Sequence, residues 1–98
     1  MEKIGVTDLY EAAYLVLNDC RFTGVECVPM SGALGCSLAF ANDEDVAYFQ
    51  EQFKRREATV NLYAFRQAYN TVNGYVHQAK KSYEMAKKRR DVEPEAQL

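Results

Sequence analysis

The chain has 98 residues, of which 48% are hydrophobic, 12% aromatic and 27% charged, with a formal net charge of −2. This composition is typical of a globular protein and excludes a disordered or collagen-like chain. The length suits one domain with its own core, and it leaves no room for a cofactor domain beside a catalytic one. We therefore expect a single domain over residues 1–90, followed by a flexible acidic tail over residues 91–98.

No apolar run approaches the ~20 residues that cross a bilayer, and acids interrupt the N-terminal apolar stretch, unlike in a signal peptide. The sequence therefore predicts a cytoplasmic protein without membrane contact.

Charge is segregated along the chain. Residues 1–53 hold two basic and nine acidic residues, residues 54–90 hold ten basic and two acidic residues, and residues 91–98 add three acids.

The first half of the chain predicts a helix and a β-hairpin. Thr7 is a candidate cap for a helix over about residues 8–19, because the following apolar residues recur every three or four positions. Met1–Val6 is a candidate short edge strand. Residues 21–28 and 34–41 then alternate with period two and predict two strands joined by a turn at Ser31 and Gly32. That turn pairs Cys27 with Cys36, Val25 with Leu38 and Thr23 with Phe40, and Pro29 is a reason to expect a wider turn.

The second half predicts two helices. Asn42 is a candidate cap for a helix over about residues 43–56, with acids in its first turn and an apolar stripe. Asn61 caps the last helix, which we expect to run from Leu62 to about Arg90. We favour a continuous helix through Asn73 and Gly74, because the heptad register survives there without an insertion. The predicted fold class is α+β: a β-hairpin, with a third short strand as an option, packed against three helices.

Several of these residues resemble a small domain family of unknown function from bacteria and phages. The resemblance covers about residues 6–77. It rests on the run Thr7 to Tyr10 before an alanine-rich helix, on Gly24 to Glu26 within the first hairpin strand, on a second strand ending near Phe40, and on residues 57–65 leading into a helix that reaches His77. It implies a compact α+β unit with no known activity or catalytic residues. Asp19 and Arg56 stand where glycine-type turn residues are expected.

The cysteines are the first candidate chemistry. Cys27 and Cys36 are opposed on the inward face of the predicted hairpin, where two thiols can form a disulfide or supply two metal ligands. The sequence offers no second CxxC and only His77 to complete a tetrahedral site, so we predict no metal and no cofactor. Free cysteines in a reducing compartment usually behave as small buried hydrophobic residues, and Cys20 fits that role. We find no phosphate loop, GxSxG or paired-carboxylate motif, and we predict neither an enzyme nor a small-molecule substrate.

Two partner hypotheses concern the last helix. At about 29 residues and 1.5 Å per residue, the helix overshoots a compact domain of this size. Its far end then leaves an apolar seam open, and we predict a homodimer in which this seam, formed by Val76, Ala79, Tyr83 and Ala86, meets its copy. The alternative is a nucleic-acid-associated accessory protein that uses cations at the basic end of the helix. These cations are Lys80, Lys81, Lys87, Lys88, Arg89 and Arg90.

Overall fold

The structure is a computed structural model that describes the backbone of residues 2–96 and the side chains of residues 2–88. The order of elements is strand, helix, two strands and two helices, which confirms the α+β class and makes the short N-terminal strand part of the sheet. The elements are β1 (Lys3–Val6), α1 (Leu9–Leu17), β2 (Phe22–Met30), β3 (Ala33–Ala41), α2 (Glu44–Lys54) and α3 (Leu62–Ala96).

The three strands form an antiparallel sheet in the order β1-β3-β2. Ser31 and Gly32 are the two turn residues between β2 and β3, and Gly32 has a φ of 74°, which glycine adopts without steric cost. The turn is not widened at Pro29, which pairs with Leu34 on an edge strand, where a missing N–H is tolerated.

The predicted register is confirmed from Gly24 to Val28, but the pairing of Thr23 with Phe40 is wrong. Phe22 takes that position because the register shifts between Phe22 and Gly24, and the Thr23 hydroxyl donates instead to the carbonyl oxygen of Ala39 at 3.1 Å. The ring of Phe22 stacks on Tyr75 of α3, with ring centroids 4.8 Å apart. The bulge thus directs an aromatic side chain towards the last helix.

Two of the three predicted helix caps are wrong by one residue. Asp8, rather than Thr7, accepts hydrogen bonds from the backbone of α1, and Asp43, rather than Asn42, accepts one from Val46 at the start of α2. The side-chain oxygen of Asn61 accepts from the N–H of Ala64 at 3.0 Å, as predicted. α1 and α2 are each followed by a left-handed residue, Asp19 with a φ of 58° and Arg56 with a φ of 60°.

The core lies between one face of the sheet and the helices. Its largest fully buried side chains are Leu15, Leu38, Phe40, Val46 and Val72. α1 and α3 pack against each other and the sheet, while α2 packs on α1. α3 is continuous through Gly74 and extends to Ala96, six residues past the expected end at Arg90.

Candidate functional site

β2 and α3 run side by side, and this arrangement positions most of the candidate residues. Phe22 at the start of β2 stacks on Tyr75, and Pro29 near its end lines a depression of about 370 Å³ together with Tyr83 and Lys87. Between these two contacts, the charge of Lys80 acts on Cys27. The hairpin therefore lies along the second half of α3, which the sequence left without a neighbour in its own chain.

The inward side of this hairpin brings two thiols together. Cys27 and Cys36 are register partners, both half-buried and not joined by a disulfide, and their Sγ atoms are 2.6 Å apart. Burial, together with the hydrogen bond to Cys36, raises the pKa of the Cys27 thiol to about 11, and the Lys80 ammonium opposes that shift. Among the residues that the structure describes, no cluster of three or more metal-ligating side chains occurs.

The third thiol lies apart from this pair. Cys20 is buried, 8% exposed, in the link between α1 and β2, two residues before β2 begins. Burial raises its pKa to about 11, with further contributions from the carboxylates of Asp43, Asp45 and Asp19. A thiol held protonated in this way is a core residue rather than a nucleophile at neutral pH.

The predicted interface residues on α3 have different surroundings. Val76 packs against the core cluster, Ala79 and Tyr83 are half-buried, and Ala86 is exposed. The hairpin thus covers part of the seam within a single chain. The helix-mediated dimer stays a prediction, with less uncovered apolar surface than the sequence suggested.

The basic candidates are exposed along α3. Lys80 and Lys81 precede Lys87 and Lys88 by two helical turns, so the four ammonium groups form two short parallel rows. His77 lies one turn before Lys81, and His77, Lys80, Lys81 and Glu84 line a shallow surface depression. The side chains of Arg89 and Arg90 lie outside the described residues.

The sheet face opposite the helices is a candidate surface that the sequence reading missed. We call it the outer face; it comprises Lys3 and Gly5 of β1, the alternate β2 residues Gly24, Glu26, Val28 and Met30, and the β3 residues Ala33, Gly35, Ser37, Ala39 and Ala41. Val28 and Met30 are 60% and 65% exposed. Between them and Ser37 lies a shallow, mainly apolar depression of about 200 Å³. The sequence signal for this surface is the pairing of Val28 with Gly35, which places a bare glycine beside an apolar side chain.

Comparisons with protein-family models, with curated proteins and with solved structures find no match for this chain. The resemblance to the bacterial and phage domain family therefore stays a prediction. Within residues 2–96, none of the helices is long and apolar enough to cross a membrane.

Proposed function

We propose that this chain is a small non-catalytic module that assembles with a second copy of itself through the outer face. One observation carries the proposal: Val28 and Met30 expose most of their surface on a sheet face that the described helices leave open. Contiguous exposed apolar surface is typical of protein contact sites. We also place the module in the cytoplasm, a compartment in which free cysteines persist.

The shape of the outer face favours a second copy as the occupant. Val28 and Gly24 lie two residues on either side of Glu26 in β2, opposite Gly35 and Ala39. No atom outside the neighbouring residues lies within 4 Å of the position that a Cβ on Gly24 would take. A two-fold axis that crosses the strands near Glu26 and Ser37 places Val28 of each copy over the open position at Gly24 of the other. A self-complementary patch is what a two-fold dimer requires.

The size of the face sets the expected affinity. Two strands of nine residues and one of four, at about 3.3 Å per residue and 4.8 Å between strands, give a face of roughly 350 Å² per copy. Twice that area lies below the size of standard stable interfaces. We therefore expect a weak dimer, with a Kd on the order of 10 to 100 μM, which changes with protein concentration in solution.

Sedimentation equilibrium of the full chain tests this proposal. We expect a monomer–dimer equilibrium around 100 μM that Val28→Lys abolishes, because each dimer would bury two ammonium groups against apolar surface. Val60→Lys is the matched control, since Val60 is exposed on the link before α3, away from the outer face. A wild-type chain that stays monomeric at this concentration would refute the proposal.

The same experiment separates the outer face from the helix seam. If Tyr83→Lys dissociates the dimer and Val28→Lys does not, the interface lies on α3 and the outer-face proposal is wrong. Because Tyr83 and the hairpin line the same depression, circular dichroism and thermal unfolding of each variant are needed to show that the fold is retained.

The exposed lysine rows favour a second candidate function, binding of nucleic acid. Four ammonium groups on one helix can neutralise several phosphates, and the described part of the chain offers no groove-reading motif, so binding would be sequence-tolerant. Mobility shifts at rising salt test it. We expect the joint change of Lys80, Lys81, Lys87 and Lys88 to Gln to weaken binding and to lower the salt slope by roughly 3. Binding that is unchanged by these substitutions would exclude the lysine rows.

A further inference from the structure

Cys27 and Cys36 satisfy the backbone requirement of a disulfide without any change of register. They are directly opposed in an antiparallel strand pair. Opposed residues of such pairs have Cα atoms about 4.5 to 5.5 Å apart, and disulfides span Cα separations of about 4.4 to 6.8 Å. Their sulfur atoms are already in contact, with Sγ atoms 2.6 Å apart.

We propose that Cys27 and Cys36 form a redox modification site, which closes to a reversible disulfide by exchange with a small-molecule disulfide of the glutathione class. In the first step, one protein thiolate attacks the small disulfide, a mixed disulfide forms and one small thiolate leaves. In the second step, the other protein thiolate attacks the mixed disulfide at the protein sulfur, and the second small thiolate leaves. The two protons lost by the protein end on the two small thiols, so the protein loses two electrons and the small disulfide gains them.

The contact between the sulfurs favours the second step over accumulation of the mixed disulfide. A mixed disulfide on either cysteine holds its protein sulfur beside the other thiol, so the closing reaction is intramolecular. Cys20 is excluded from this chemistry by its place in the core and by its separation from the thiol pair, which it does not contact in the structure. The expected product therefore contains one disulfide and one remaining thiol.

The surroundings of the pair affect the rate of the exchange. Attack requires a thiolate, and the raised pKa of Cys27 keeps that thiol protonated at neutral pH. The ammonium of Lys80 on α3 stabilises the thiolate form. We expect Lys80→Gln to slow the exchange while the same product forms.

The bond would fix the end of the hairpin. It would enclose residues 28–35, which comprise the turn and the two exposed apolar side chains Val28 and Met30. The thiol chemistry does not depend on dimer formation, since both cysteines belong to one chain. A strictly monomeric protein would oxidise in the same way.

Intact-mass spectrometry of the folded full chain tests the site. The protein is equilibrated with glutathione buffers of rising oxidised fraction, quenched in acid, and then unfolded in denaturant at neutral pH and alkylated. We expect the loss of two hydrogens, one remaining alkylated thiol at Cys20, and full reversal by dithiothreitol. Cys20→Ala is the matched control, and it should still lose two hydrogens.

Cys36→Ser distinguishes this pair from three independent thiols. In that variant Cys27 should stop at the mixed disulfide with glutathione, because no second thiol is in contact with it. The proposal is overturned if the folded wild-type chain accumulates mixed disulfides without closing, if the bond involves Cys20, or if all three thiols survive the most oxidising buffer. Circular dichroism of each sample shows that the fold is retained.

Discussion

The two faces of the sheet are built from the same three strands but have different surroundings. On the inner face, Leu38 and Phe40 are fully buried beneath α1 and α3. On the outer face, most residues of the same strands are small or polar, and its two large apolar side chains, Val28 and Met30, are exposed. Side chains alternate along a strand, so a shift of one residue would exchange the two faces. Burial of the inner face thus determines the strand register. The residues of the outer face are not constrained by the core and can form contacts with a partner.

The largest expected effect comes from a truncation on the inner face. Leu38→Ala should lower the free energy of unfolding by about 3 kcal/mol, because it removes a fully buried side chain and leaves a cavity. Val28→Ala, the matched truncation on the outer face, should change it by less than about 0.5 kcal/mol in the monomer. Urea denaturation at low protein concentration measures both. Equal losses would mean that the outer face is part of the packed core.

An intermediate effect is expected from the buried thiol of Cys20 at alkaline pH. Its pKa is raised from an ordinary value of about 9 to about 11 by burial and by nearby carboxylates. Below pH 9 the thiol is protonated in both states, so its contribution to stability is fully present. Above pH 9 the unfolded chain loses the proton first, and stability falls until the pH passes 11.

At pH 10 this linkage amounts to about 1.4 kcal/mol. We expect Cys20→Ala to reduce the fall in unfolding free energy between pH 8 and pH 10 by about that amount, whatever its effect at neutral pH. Urea denaturation of both proteins across that range is the measurement. Parallel stability curves for the two proteins would show that Cys20 ionises equally easily in the folded and unfolded states.

Much of the fold could be predicted from local sequence signals. The period of two in residues 21–41 and the turn at Gly32 determine the register that opposes Cys27 and Cys36. The cap at Asn61 and the unbroken heptad pattern predicted the start of α3 and its continuity. The bulge at Thr23 was missed because it depends on a tertiary contact, the stacking of Phe22 on Tyr75.

The candidate surfaces were harder to predict for the same reason. The heptad pattern of α3 places Val76, Ala79 and Tyr83 on one side but does not specify which element covers them. The structure places β2 and the hairpin turn there. The outer face could not be predicted, because small residues carry no periodic signal. The sequence also does not specify which face of the sheet the helices cover and which they leave exposed.

The smallest expected effect concerns Glu26, the one acidic residue of the outer face. In the proposed dimer the two Glu26 side chains lie near the two-fold axis, and in the single chain Glu26 is exposed on the edge strand β2. Two like charges about 8 Å apart in water repel by about 0.5 kcal/mol, so Glu26→Gln should tighten the dimer by about twofold. Added salt should produce part of the same gain in the wild-type chain. Glu57→Gln makes the same change on the link after α2 and should leave the equilibrium unaltered. A dimer joined along α3 would not bring the two Glu26 residues together. If Glu26→Gln and Glu57→Gln change the Kd equally, the contact therefore lies away from the outer face.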